Sequence, residues 1–149
     1  KGVIETVKKF GWPPDIIHCH GWMTSLIPIY IREAYKTEPL FHHSKIVYSL
    51  YDNSLGGTFN NGFFAKASIN NLEEEDLLAY QNGAGVNLHQ GAISYSDAII
   101  QGSETLSEST GGLIESLDKP ILGFQNEDEY LKAYLEFYNT LLAEQEVEG

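Results

Sequence analysis

Four short apolar runs constrain the fold of this chain more than any other feature: "DIIHC", "KIVYSLY", "DAIIQ" and "KPILGF". Each is too short for a buried helix, carries β-branched or aromatic residues and is bounded by turn chemistry, so each reads as a strand. The segments between them carry helical spacing instead. "GWMTSLIPIYIREAYK" repeats Trp22, Leu26, Ile29, Tyr30 and Ala34 along one side, and "GAGVNLHQGAISYS" and "SETLSESTGGLIESL" each read as a helix, with Ser103 placed to cap the latter over Leu106. The continuously apolar "KIVYSLY" suits a strand covered on both faces. Strands of this kind alternating with helices predict an α/β domain, a Rossmann-like parallel sheet with right-handed crossovers, flanked by helices. Ligands of such sheets collect beyond the carboxyl ends of the strands. Here those ends are His20 to Trp22, Tyr51 to Asn53, Gly102 to Glu104 and Phe124 to Asn126.

The flanking segments fit the same plan. "KGVIETVKKF" is an amphipathic helix with Val3, Ile4, Val7 and Phe10 on one side, closed by Gly11 and stopped by Pro13 and Pro14; a further element is expected before it. Pro28 lies inside a helical pattern and predicts a kink or an early stop. After the second strand, "DNSLGGTFNNG" is a loop and "FFAKASINNLEEEDLLAY" holds one or two short helices, so residues 52–82 form an excursion from the sheet. A terminal helix spans 126–143, capped by Asn126, with a stripe of Tyr130, Leu131, Tyr134, Leu135, Tyr138, Leu141 and Leu142 that faces a core. The 149 residues have room for one domain, 1–149.

Charge excludes some partners. The chain has 21 acidic and 9 basic residues and a formal charge of −12, a field that repels phosphate backbones and anionic lipid, so neither nucleic acid nor a membrane is expected as a partner. A single cysteine excludes an intrachain disulfide, and no apolar stretch reaches the roughly 20 residues that cross a bilayer. The expected compartment is the cytoplasm.

"DIIHCHGW" concentrates the reactive residue types. His18 and His20 alternate onto one face of a strand, a geometry that metal sites use, but a third ligand is missing and no Cys-x-x-Cys or His-Glu-x-x-His spacing occurs. His18 therefore reads as packed in the sheet and His20 as standing at its rim. Cys19 alternates to the opposite face with nothing local to lower its pKa, and reads as a small buried residue. "GAGVNLHQG" lacks the dinucleotide fingerprint, and "STGGL" lacks the lysine and spacing of a phosphate loop, so both read as helix boundaries. The residues call for neither a cofactor nor a metal.

From Pro14 onward the order of motifs resembles the amino-terminal half of bacterial glycogen and starch synthases. "PDIIHCHGWMTSLIPIYI" is similar to that family's Pro-Asp-Val-Val-His-x-His-Asp-Trp-His-x-x-Leu-x-Pro-x-Tyr-Leu. "KIVYSLYDNSLGG" stands where the family has a strand ending Thr-x-His-Asn before a Tyr-Gln-Gly loop, and "LHQGAISYSDAIIQGSETL" resembles its Leu-Lys-x-Gly-Ile-x-Tyr-Ala-Asp-x-Ile-Thr-x-Val-Ser-x-x-Tyr. The likeness runs from Pro14 to Leu117. It implies a retaining glycosyltransferase of the GT-B type, which moves glucose from ADP-glucose to an α-1,4-glucan across a cleft between two Rossmann-like lobes. This chain then corresponds to the carboxyl-terminal portion of the first lobe, in a divergent one-domain relative, with α-glucan and ADP-glucose as partners and a separate second lobe as a further one.

The resemblance also implies a site. It points to substrate binding by His20, Trp22, Tyr51 and Ser103, within a rim that keeps His18, Tyr95 and Asp97 as well, and it leaves the catalytic residues unassigned. Departures from the family fall at that rim. Gly21 and Met23 stand where it has Asp and His around the tryptophan, Leu50 and Tyr51 where it has His-Asn, and Gln90 where it has a lysine. Glycine, methionine and leucine cannot supply charge or hydrogen bonds beside a reacting sugar. The implied function is thus a glycogen/starch-synthase-like domain inactive on its own, and the alternative is a catalytically inactive glycan-binding or regulatory module of the same fold.

Overall fold

The computed structural model describes residues 1–52, 62–70, 72–83 and 85–148, with side chains as far as Glu144. Asn53 and most of the "DNSLGGTFNNG" loop lie outside the described residues. Helix α1 (Gly2–Phe10) leads into strand β1 (Ile16–His20). A tight turn at Trp22–Thr24, the short α2 (Ile27–Ile29) and a widened π-helical turn at Tyr30–Ala34 carry the chain to β2 (Lys45–Leu50). There follow α3 (Gly62–Ala67), a 3₁₀ turn at Asp76–Tyr80, the antiparallel pair β3 (Gln81–Asn82) and β4 (Gly85–Val86), α4 (Leu88–Ser94), β5 (Ala98–Gln101), α5 (Glu108–Glu115), β6 (Ile121–Leu122) and α6 (Tyr130–Glu148).

The four apolar runs become β1, β2, β5 and β6, one parallel sheet in that spatial order. Order across the sheet thus equals order along the chain, and crossovers of a single hand then bring the connecting helices to one face. The packing agrees. Cys19, Ile46, Tyr48, Leu50 and Ile99 point into a large core with Ile4 of α1, Ile29 of α2, Tyr30, Leu77, Tyr80, and Ala92 and Ile93 of α4. The opposite face carries Val47, Ala98 and Ile100, and α6 covers it with the buried Leu141 and the half-buried Tyr134, Phe137 and Tyr138.

Polar groups tie the amino ends of the strands. Asp97 accepts from the Arg32 guanidinium and, at 2.6 Å, from the Ile46 amide, which holds β2 against the residue that opens β5. Lys119 Nζ donates to the carbonyls of Ile93, Ser94 and Ser96 at 2.7, 3.0 and 2.7 Å and so closes the carboxyl end of α4. Gly91 lies inside α4 rather than at its boundary, and a Cβ there would sit 2.2 Å from the Tyr80 ring, so only glycine lets the helix approach the preceding turn.

Several local expectations are met and others corrected. Gly11 caps α1 in the left-handed conformation, φ 62°, with its amide on the Val7 and Lys8 carbonyls. On α1, however, only Ile4 and Val7 reach the core, while Val3 and Phe10 are exposed. Pro28 sits in the first turn of α2, where its missing N–H costs no bond, so the helix starts there and the irregularity comes after it. Gly85–Val86 instead forms β4, paired antiparallel with β3, and α4 begins only after Asn87, whose side chain accepts from the Gln90 amide at 3.0 Å. Ser107, not Ser103, caps α5. Leu131 and Leu135 of α6 stand 70% and 60% exposed, because Tyr134, Phe137, Tyr138 and Leu141 form the side of the helix that meets the sheet.

Candidate functional site

In a parallel sheet every strand delivers its carboxyl end to the same edge, so residues distant in sequence meet there. His20 ends β1, Tyr51 follows β2 and Ser103 follows β5. His20 Nδ1 lies 3.0 Å from the Tyr51 hydroxyl, and Ser103 Oγ accepts from the Asp52 amide at 3.0 Å. Gly102 makes room between them. Its amide donates to the Leu50 carbonyl at 2.7 Å, and a Cβ there would stand 2.6 Å from the Tyr51 ring. Trp22 opens the turn after β1 and is half-buried; the preceding Gly21 donates to the Ser49 carbonyl at 3.0 Å. The fold thus joins His20 to Tyr51 and Ser103 to Asp52 by hydrogen bonds, with Trp22 two residues beyond His20.

Tyr95 and Asp97 do not belong to this rim. Both precede β5 at the opposite, amino edge, where the Tyr95 hydroxyl donates to the Asp76 carbonyl and Asp97 is bound to Arg32 and Ile46. A shallow depression of about 410 Å³ opens there, lined by Arg32, Glu33, Tyr95, Asp97 and Lys119. Its cations already bond Asp97 and the carbonyls that end α4. That edge therefore serves the fold, and the carboxyl rim is the candidate site.

Immediately behind the rim lies a cluster that sequence reasoning assigned to ordinary packing. The His18 ring stacks on His20 with centroids 3.9 Å apart, and its two nitrogens reach the Tyr138 hydroxyl at 2.5 Å and Ser49 Oγ at 2.6 Å. Tyr134 tilts against the same imidazole at 5.7 Å and against Tyr138 at 6.4 Å. Burial, reinforced by neighbouring His20, pushes His18 down to about 4, and burial also lowers His20, so both imidazoles are neutral at pH 7. With both nitrogens engaged by protein hydroxyls, His18 has no free position for a metal. Cys19 faces the other way, 2% exposed, and burial pushes its thiol up to about 12, so it is not a nucleophile.

Ser49, Tyr134 and Tyr138 are the residues that sequence reading did not place at the site. One signal was present: Tyr130, Tyr134 and Tyr138 recur every four residues, and a buried phenol needs a hydrogen-bond partner where a leucine does not. The groups that bond one another here are imidazole, phenol, hydroxyl and amide. Such uncharged donors and acceptors beside flat rings suit a neutral, hydroxyl-rich ligand better than an anion.

A four-stranded parallel sheet flanked by helices defines a Rossmann-like α/β domain. Comparison with known sequences narrows the class, because the starch synthase catalytic domain matches residues 1–114. The chain belongs to that family. It is 30% identical over 144 residues to a glycogen synthase of Clostridium perfringens, covering 87% of this chain and 29% of that protein. It is 31% identical over 130 residues to a glycogen synthase of Pseudothermotoga lettingae, covering 85% of this chain and 26% of that one. A third, from Geotalea uraniireducens, is 31% identical over 135 residues, covering 86% and 26%. The chain spans less than a third of the length of these curated relatives. Among the described residues no helix is long and apolar enough to cross a membrane.

Proposed function

We propose that this chain is the acceptor-side portion of a glycogen/starch-synthase-type glucosyltransferase of the GT-B arrangement, acting in the cytoplasm. In the complete enzyme, glucose passes from ADP-glucose to an α-1,4-glucan with retention of configuration. His20, Trp22, Tyr51 and Ser103 hold the acceptor, the imidazole, phenol and hydroxyl through hydrogen bonds to sugar hydroxyls and the indole by stacking. The observation that carries this reading is the junction of His20 with Tyr51 at the carboxyl rim of a sheet built by a starch-synthase-family sequence. Departure of a nucleoside diphosphate needs a cationic or amide-rich site. A chain of charge −12 whose Arg32 and Lys119 are committed at the far edge is a poor source of one, so turnover requires a second lobe, in the same or another polypeptide.

A second reading, a glycan-binding module without catalysis, draws on Gly21. Its φ of 66° and ψ of −178° belong to a region that only glycine occupies without strain, so this turn is shaped for the missing side chain and not merely stripped of a carboxylate. Leu50, fully buried, likewise offers nothing to a reacting sugar.

Calorimetric titration with maltoheptaose and with ADP-glucose, followed by a glucan-extension assay with and without a glycogen synthase second lobe, tests both. The expected result is maltoheptaose binding, no ADP-glucose binding, and extension only with the added lobe. Absence of glucan binding would overturn the acceptor assignment. Binding without extension, even with the lobe supplied, would favour the second reading.

A further inference from the structure

Helix α6 lies beyond the residues that match the family, yet it reaches the candidate site. It begins next to the carboxyl rim. β6 ends at Leu122, the chain turns through Asn126, whose side chain accepts from the Asp128 and Glu129 amides, and α6 then runs down the back of the sheet. Its deepest packed residue is Leu141, against the cluster of Val47, Ala98 and Ile100, while Tyr134 and Tyr138 lie against His18 above it. Tyr130 is one helical turn closer to the rim. It stands 39% exposed, and its ring meets Tyr134 edge-on at 5.6 Å.

These rings form one continuous band. From Tyr130 it passes through Tyr134 to His18, from His18 by a 3.9 Å stack to His20, and from His20 by a hydrogen bond to Tyr51. His18 at its centre is pinned by hydrogen bonds to Tyr138 and Ser49, whereas at the ends Tyr130 stands exposed and Tyr51 is half-buried. A hexose presents C–H groups on one face and hydroxyls around its edge. Exposed tyrosine faces take the former, and neutral imidazole and phenol groups take the latter.

We propose that the first turn of α6 is part of the glucan-binding surface, with Tyr130 supplying a stacking face for a sugar unit of the chain that His20 and Tyr51 hold. This rests on the acceptor-binding reading given above and adds to it a wall that the family-matched residues do not include. The ligand class follows from charge as well as shape. Glu127, Asp128 and Glu129 are exposed at the start of the same helix, and they oppose a nucleotide phosphate while leaving a neutral oligosaccharide unaffected.

Maltoheptaose and maltotriose affinities of the wild-type chain, Tyr51→Ala, Tyr130→Leu and Tyr130→Phe test the assignment, with far-ultraviolet circular dichroism to verify that α6 persists. Leucine keeps helix propensity and removes the ring; phenylalanine keeps the ring. The expected result is about fivefold weaker maltoheptaose binding for Tyr130→Leu and little change for Tyr130→Phe. The loss is expected to shrink for maltotriose, which offers fewer sugar units to the band. Weakening by Tyr51→Ala with none by Tyr130→Leu would overturn this inference and leave the acceptor-site reading standing. No glucan binding by the wild-type chain would overturn both.

Discussion

The face of the sheet that carries Cys19, Tyr48, Leu50 and Ile99 is met by side chains from α1, α2 and α4, with α5 packed at its margin; the face that carries His18, Ser49, Val47 and Ile100 is met by α6. The front is largely apolar, and its buried hydrogen bonds, Tyr48 with His89 at 3.0 Å, Tyr80 to the Ser25 carbonyl at 2.6 Å and Tyr30 to the Ala67 carbonyl at 2.9 Å, are internal to it. The back mixes a small apolar patch around Leu141 with the hydrogen-bonded His18, Ser49 and Tyr138. Extensive apolar burial makes the front central to global stability. A directional polar contact makes the back dependent on a few groups, and it is the back that leads to the candidate site. The difference teaches where this fold stores its stability and where it places its candidate site.

Five perturbations would break or sharpen that contrast. The largest effect belongs to the front: Ile99→Ala, at a fully buried strand centre, is expected to cost about 3–4 kcal/mol in urea denaturation and to lower the stability of every probe together. On the back, Leu141→Ala is expected to cost about 2–3 kcal/mol, expressed as faster amide exchange in α6 while β2 and β5 stay protected. If it instead melted the whole domain as Ile99→Ala does, the two faces would be one cooperative unit and the contrast would fail.

Tyr138→Phe removes the hydroxyl that His18 Nδ1 contacts and is expected to cost about 1–2 kcal/mol, read in the same exchange experiment. Acid acts on the same imidazole. His18 stays neutral in the fold down to about 4, whereas the unfolded chain takes up that proton near 6.5, so the unfolded state binds more protons between these values. The stability that depends on the neutral ring is therefore present above pH 6.5 and is lost as pH falls through 4. Protection of α6 should decline over that window, and His18→Leu should flatten the decline. A window centred elsewhere would mean that the acidic surface, not His18, sets the acid limit. The smallest effect is Lys132→Ala, which breaks an exposed pair with Glu136 at 3.8 Å and is expected to change stability by less than about 0.5 kcal/mol.

Much of this architecture is decided by local chemistry and could be read directly. The four strands, their parallel alternation with helices, the αL cap at Gly11 and the opposition of Cys19 to His18 all follow from periods of two and 3.6 and from glycine's freedom at positive φ. His20, Tyr51 and Ser103 could be placed at one edge from the same logic, because parallel strands end together.

What only the tertiary structure decided is which distant groups face each other. His18 and Tyr138 are 120 residues apart, and their contact depends on the rotation of α6 about its own axis. The helical stripe alone does not set that rotation: leucines and tyrosines alternate along it, and the observed rotation turns Tyr138 onto His18, a hydrogen bond that leucine cannot make, while Leu141 packs on the apolar patch and Leu131 and Leu135 stay exposed. The same holds at the amino edge, where Asp97 and Tyr95 follow family-like motifs in the sequence but are drawn to Arg32 and the Asp76 carbonyl, away from the rim. Sequence periodicity sets what a residue can face. Packing across the whole chain sets what it does face, because hydrogen-bond partners and buried area are shared among elements that no local window contains.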